Sequence, residues 1–322
     1  MKYSTPTLVL CALGLFQATG LMAQQDPHFT MYMFNKQAIN PAYVGSMGTT
    51  SFQALYRSQW VGIEGAPKTV SLTAQGLVGR DDRIGLGVHL LNDRIGVDNH
   101  TGLYAQYAYH LPLSDNIVTS LGLQAGVTQY ISNLSQLKKP IWTYPGGDDV
   151  VANDVSSAWL PNVGLGAYMW SEKFYAGMSV PHLISNYYDK DREDSEANSA
   201  RQYKHYFLFA GMKFNINDDF AIQPQFLMKY ANGRNITVPM SADLSTAFIF
   251  RNIVMLGATY RIDESVDIFL RAQITKNFNI GYAYDHTLSP LVRHTSGSHE
   301  MVLGWEIGEK VAKFVGPRLW TF

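Results

Sequence analysis

Three consecutive residues near the C-terminus, Ser298, His299 and Glu300, carry the side chains of a hydrolytic trio. Such chemistry needs the nucleophile within hydrogen-bond reach of its base. The flanking residues read as a strand, in which successive side chains leave on opposite faces. His299 therefore projects away from both neighbours, and the three residues are expected to fix register or line the rim of the last hairpin. His286, His294 and His299 bracket one loop, yet their spacing fits no zinc pattern and no cysteine assists them. Asp189, Asp191 and Glu193 resemble the start of a calcium loop, but Asp194 stands where an EF-hand needs its turning glycine. The mixed charges from Asp189 to Glu196 read instead as a solvated loop. Gly85-Leu86-Gly87 and Gly164-Leu165-Gly166 lead into no helix start that would hold a phosphate, and read as glycines facing a crowded interior. No catalytic residue, metal or cofactor is expected from these patterns.

A different kind of chemistry, protein recognition, fits the stretch from Tyr56 to Lys68. It combines Trp60 with Gly62, Gly65 and Pro67, a hydrophobic anchor on a stiffened turn. Buried Trp and Arg side chains commonly dominate interfaces, which makes Tyr56, Arg57, Gln59, Trp60, Pro67 and Lys68 candidate partner-binding residues. Phe29, Tyr32 and Phe34, in an aromatic-rich stretch ahead of the first strand, join them, as do Ser298, His299 and Glu300 at the last hairpin. The competing reading places Trp60 in a membrane aromatic girdle and Arg57 in an interior ion pair. The stretch from Asp26 to Tyr43 has two readings, a plug for a lumen or a dock for a periplasmic partner.

These residues must be positioned by strands, because apolar and polar residues alternate with period two along most of the chain. From Thr101 to Leu111, Leu103, Ala105, Tyr107, Tyr109 and Leu111 share one face, while Gln106, Ala108 and His110 take the other. After Ser114-Asp115-Asn116 the chain returns with Leu121, Leu123, Ala125 and Val127 on one face and small or polar residues opposite. About fourteen such segments of ~9–11 residues are counted, the length a tilted membrane strand requires. Short links rich in Asn, Asp and Ser alternate with longer ones. The longer set is Gln59–Pro67, Asn92–Asn99, Ile131–Ser157, Pro181–Arg201 and His286–Gly297, with short exceptions near Asn232 and Asp263. The expected fold is all-β, a closed antiparallel transmembrane β-barrel with short periplasmic turns and longer extracellular loops.

Composition and the N-terminus set the compartment. Lys2 precedes an apolar run from Leu8 to Phe16 that is shorter than the ~20 residues of a membrane helix, and Ala23 offers a cleavage site. Residues 1–23 are read as a signal peptide, 24–47 as an N-terminal periplasmic segment and 48–322 as the barrel. The only cysteine, Cys11, lies inside that signal, so no disulfide is expected in the mature chain. A formal net charge of −1 gives no electrostatic reason for a nucleic-acid partner. Aromatic residues at 13% and a mean hydropathy of −0.09 fit strands that alternate lipid-facing and lumen-facing residues.

Ordered motif blocks narrow the function. Gln25-Asp26-Pro27-His28-Phe29-Thr30-Met31-Tyr32-Met33-Phe34-Asn35 is followed by Asn40-Pro41-Ala42-Tyr43 and Gly45. Then come Tyr56-Arg57-Ser58-Gln59-Trp60, Gly65-Ala66-Pro67-Lys68-Thr69 and Asn92-Asp93-Arg94-Ile95-Gly96, followed by the stretch from Tyr107 to Ser114. Gly281-Tyr282-Ala283-Tyr284-Asp285 and Ser296-Gly297-Ser298-His299-Glu300 close the series. In this order the blocks resemble the PorP/SprF family of type IX secretion membrane proteins. Gly316-Pro317-Arg318 is similar to the family's end, whereas Leu319-Trp320-Thr321-Phe322 extends past it. The resemblance implies an outer-membrane protein of the Bacteroidota lineage without catalysis. Its implied partners are other type IX secretion or gliding proteins, among them periplasmic ring and lipoprotein components, together with C-terminal domains of secreted cargo and outer-membrane lipid. The rival reading is a porin-like diffusion channel for small solutes.

Overall fold

A computed structural model describes residues 27–79, 81–136, 154–188, 202–233, 236–237 and 240–308. The signal-peptide reading of 1–23 with Cys11, the acidic run from Asp189 to Asp194 and the tail Gly316–Phe322 lie outside the described residues.

The chain forms a closed antiparallel barrel of fourteen strands, as the alternation indicates. They are β1 (Thr50–Ser58), β2 (Lys68–Val78), β3 (Ile84–Ile95), β4 (Asp98–Ser114), β5 (Ile117–Ser132), β6 (Leu160–Trp170) and β7 (Phe174–Val180). The second half adds β8 (Lys204–Met212), β9 (Phe220–Gly233), β10 (Ser241–Phe250), β11 (Val254–Arg261), β12 (Ser265–Gln273), β13 (Phe278–Thr287) and β14 (Ser298–Ile307). Each strand pairs with its sequence neighbours, and β1 closes the sheet against β14 from Thr50↔Ile307 to Ser58↔His299. Closure is what lipid demands, since no backbone N–H or C=O can be left unpaired in hydrocarbon.

The side chains are arranged inside out relative to a protein in water. In β12, Asp267, Phe269 and Arg271 are buried, whereas Ile268 and Leu270 are exposed at 56% and 46%. Tyr56, Tyr206, Tyr230 and Tyr260 ring the outer surface toward one end, and Phe220, Phe250, Phe278 and Trp305 toward the other. These are the two aromatic girdles of a membrane barrel.

One connection departs from expectation. The Asn92–Asn99 stretch, read as a longer outer loop, is a tight turn of Gly96 and Val97, because β3 and β4 stay paired up to Ile95↔Asp98. Gly96, at φ +59°, supplies the left-handed residue that a two-residue hairpin turn requires. β4 and β5 are accordingly 17 and 16 residues long, well beyond the length that lipid alone needs.

The lumen is occupied by the chain's own N-terminal segment. Of the segment 24–47, for which the sequence leaves both a lumen plug and a periplasmic dock open, residues 28–47 run down the inside of the barrel from the long-loop rim to the short-turn rim, where β1 begins. The segment holds only one short helix, α1 (Lys36–Ile39), and a 3-10 turn at Pro41–Tyr43. Asn40 caps that turn by accepting from the Ala42 N–H at 2.9 Å, and its amide donates to the Ala167 carbonyl at 3.0 Å. The wall makes room with glycine. A Cβ added at Gly85 would overlap the Val44 carbonyl, one at Gly122 would overlap Pro41 and Ala42, and one at Gly166 the Asn40 side chain. The glycines of both Gly-Leu-Gly runs thus face a crowded interior; Gly85, Gly87 and Gly166 touch the plug itself, and Gly164 faces Pro181.

Gly122 and Leu123 are adjacent in β5 and point to opposite faces, so they test this arrangement together. Leu123→Arg puts a charge on the lipid face and should destabilise the barrel by about 2–4 kcal/mol. Gly122→Val overpacks the plug and should cost about 1–3 kcal/mol. Only the valine variant should raise protease access to residues 28–47. Denaturant unfolding in liposomes with limited proteolysis reads both, and equal plug exposure in the two variants would refute the register.

Candidate functional site

The segment's upper end is held by three ionic side chains that converge on Thr30 from distant parts of the sequence. Arg57 on β1 contacts Asp285 on β13 at 2.6 Å and Glu300 on β14 at 3.0 Å. Its guanidinium also donates to the Thr30 hydroxyl at 2.8 Å, and that hydroxyl donates to the Asp285 carboxylate at 2.8 Å. Glu300 in turn accepts the backbone N–H groups of Thr30 at 2.9 Å and Met31 at 2.7 Å. All four side chains are 0–2% exposed. A carboxylate buried this deeply is tolerable only because cation, hydroxyl and amide donors satisfy it.

A second cluster continues the ionic wall. Arg261 on β11 reaches Asp243 on β10 at 3.1 Å, Glu264 at 3.4 Å and Asp267 on β12 at 3.6 Å. Lys229 on β9 reaches Asp243 at 3.4 Å and lies 3.3 Å from His28 of the plug. Asp267 faces Asp285 in register across β12 and β13, so the two clusters abut. The plug's contacts with β2 to β4 are made by neutral groups. There Gln37 donates to Gln106 at 2.9 Å, Asn35 donates to Ser71 at 3.1 Å, the Gly45 N–H meets Gln75 at 2.9 Å, and His110 donates to the Val44 carbonyl at 2.8 Å.

Aromatic packing fills the middle. Phe34 meets Phe269 edge-on at 6.1 Å and lies under the Arg271 guanidinium at 4.3 Å, while the Lys36 ammonium sits 4.2 Å above the Tyr175 ring. Both contacts place a cation on the negative face of a ring. Lys36 also donates to the Met33 carbonyl at 2.8 Å, so its charge is held within the plug.

The residues singled out in the sequence divide into three places. Phe29, Tyr32 and Phe34 are 5%, 1% and 5% exposed, so the seated plug offers none of them to a partner; the barrel wall covers them. Arg57 and Glu300 meet in the lumen, Arg57 as the interior ion pair weighed against a surface role. Tyr56 faces lipid in the outer girdle. Gln59, Trp60 and Pro67 lie in the β1–β2 rim loop, and Lys68 opens β2. The loop is closed by the Gln59 N–H to the Pro67 carbonyl at 2.9 Å and tied to β14 by the Trp60 N–H to the Ser298 hydroxyl at 3.1 Å. His299 turns outward to the Tyr282 hydroxyl at 2.6 Å. Ser298, His299 and Glu300 thus point to separate partners.

Sequence reasoning missed Thr30 and Asp285 as members of the anchor, and Asp243, Asp267, Arg261 and Lys229 beside it. For the strand residues the signal was present: each is charged and on the face opposite the greasy one, toward the outer end of its strand, whereas Thr30 lies in the plug and had no such pattern.

So much apolar surface can face outward only where lipid is the solvent. That defines the class, an outer-membrane β-barrel whose lumen is threaded by its own N-terminal segment. Within that class the chain belongs to the PorP/SprF family of type IX secretion system membrane proteins, matched over residues 21–305.

No curated protein matches the chain. Among solved structures, the toluene transporter TbuX of Ralstonia pickettii aligns with TM-score 0.47 and 12% identity, over 84% of this chain and 92% of that one. A FadL homologue of Pseudomonas aeruginosa aligns with TM-score 0.40 and 11% identity, over 87% and 94%. The porin KdgM, in complex with disordered oligogalacturonate, aligns with TM-score 0.38 and 9% identity, over 80% and 99%.

Arg57→Leu strands two carboxylates and should cost about 3–5 kcal/mol. Thr30→Val removes one hydroxyl link between Arg57 and Asp285 and should cost about 1–3 kcal/mol. With Met33→Cys as reporter in a Cys11→Ala background, maleimide labelling in membranes should rise in the order parent, Thr30→Val, Arg57→Leu. Equal labelling of all three would show that the ionic anchor does not seat the plug.

Proposed function

We propose that this protein is a noncatalytic outer-membrane component of type IX secretion, a plugged scaffold that receives or anchors cargo and contacts the periplasmic secretion or gliding machinery. The observation that carries this reading is the seated plug. A segment that fills the lumen from rim to rim and is fastened at both ends leaves the two rims as the surfaces on which partners act. Family membership supports the secretion role and contact with other secretion-system components; the periplasmic ring and lipoprotein partners and the cargo C-terminal domains are part of the proposal.

Clean deletion of the gene should reduce export or surface display of type IX cargo, and re-expression of the chain should restore it. Unchanged secretion with no paralogue expressed would remove this role. In planar bilayers the intact protein should be electrically silent, whereas a variant lacking residues 28–44 that still folds should conduct. A stable open pore in the intact protein would favour the diffusion channel instead.

A further inference from the structure

The outer end of β2 and β3 carries a pair of cations, Lys68 and Arg94, that form no ion pair among the described residues. Lys68 and Arg94 stand directly opposite each other in the β2–β3 register. Both point outward, since their neighbours Thr69 and Asp93 face the lumen, where the Thr69 hydroxyl donates to Asp93 at 2.6 Å. Like charges at opposed positions repel, and among the described residues neither cation forms an ion pair. They line a pocket of about 470 Å³ with Ser58, Gln59 and Glu64, two cations against one carboxylate.

The pocket is firmly built. The β1–β2 loop is tied to the β3–β4 turn by the Gly96 N–H to the Gly65 carbonyl at 2.7 Å. On its other side the Val61 N–H meets the Gly297 carbonyl at 2.8 Å. Below the cations, on the same outward face, lies an apolar groove of about 480 Å³. It is lined by Leu72, Val88 and Leu90 of the same two strands and by Phe52, Leu103 and Leu303 of β1, β4 and β14, and it reaches Phe278 and Trp305 of the lower girdle. Leu72 and Leu90 are themselves a register pair, four residues below Lys68 and Arg94, or about 13 Å along an extended strand.

We propose that this face binds an outer-leaflet lipid whose phosphate-bearing headgroup sits between Lys68 and Arg94 and whose acyl chains lie in the groove below. Charge complementarity selects the headgroup, because paired Lys and Arg donors suit phosphate oxygens. Placement selects a lipid over a protein, because the cations crown a surface that is in contact with hydrocarbon. Basic residues at a membrane interface attract anionic lipid in the same manner.

The test uses the full-length protein in mixed micelles, titrated with diphosphorylated lipid A and with its dephosphorylated form. Inorganic phosphate and an acidic peptide serve as separate probes. The phosphorylated lipid should bind, and binding should weaken about thirtyfold, roughly 2 kcal/mol, in the Lys68→Gln/Arg94→Gln variant. A Lys173→Gln/Lys276→Gln variant, altered only at short turns of the opposite rim, should bind like the parent. Heat-modifiability on gels confirms that each variant is a folded barrel. Equal affinity for both lipid forms, equal weakening in the two double variants, or saturation by inorganic phosphate alone would overturn the proposal. Preference for the acidic peptide would overturn it in favour of a protein partner.

Discussion

Arg57 and Glu300 face each other across the seam where β1 meets β14, and the rest of the interior is organised around that pair. The seam joins residues 243 positions apart in sequence, so it forms only when the whole sheet has closed. Once it does, Glu300 presents both carboxylate oxygens to the backbone amides of Thr30 and Met31. One ion pair therefore serves two structures, the hydrogen-bonded cylinder and the segment inside it. Its burial enforces this dependence, since removal of either partner leaves a charge in a dry, low-dielectric place.

Below the seam the plug is held by shape more than by charge. Gly85, Gly122 and Gly166 lie on three different strands, and each is overlain by a residue between Asn40 and Val44. The plug's irregular backbone would otherwise expose unpaired amides and carbonyls. Wall side chains take that place: Gln75 accepts from Gly45, Ser179 donates to the Ile39 carbonyl and His110 donates to the Val44 carbonyl. A segment with almost no helix or strand of its own thus becomes a single structure by borrowing partners from the barrel.

Much of the cylinder was legible in the sequence, because lipid outside and ions inside make period-two alternation sharp. Leu103, Ala105 and Tyr107 against Gln106, Ala108 and His110 already separate the two faces of β4. Legibility failed where lipid ends. Asn92, Asp93 and Arg94 are all polar, so alternation lapses and the continued pairing to Ile95 could not be seen. The site was half legible. Arg57 on the polar face pointed inward, but its partners arrive from β13, β14 and residue 30, and no local pattern encodes a closure register. For the N-terminal segment neither plug nor dock could be chosen, since an irregular stretch has no period to read. The clue lay elsewhere, in inward-facing glycines on three different strands that leave a space only another part of the chain could fill.

The three residues that first looked like a catalytic trio explain why the register is so tightly specified. Ser298 accepts from the rim loop through the Trp60 N–H, His299 contacts Tyr282 on the outer face and Glu300 holds the plug inside. A slip of β14 by one residue would exchange all of these at once, because strand side chains change face at every step. Glu300 would turn toward lipid, which disfavours charge, and Arg57, Asp285 and Thr30 would lose their common acceptor inside. The same alternation that rules out hydrolysis therefore makes this tripeptide the point where outer loop, girdle and plug are set in mutual register.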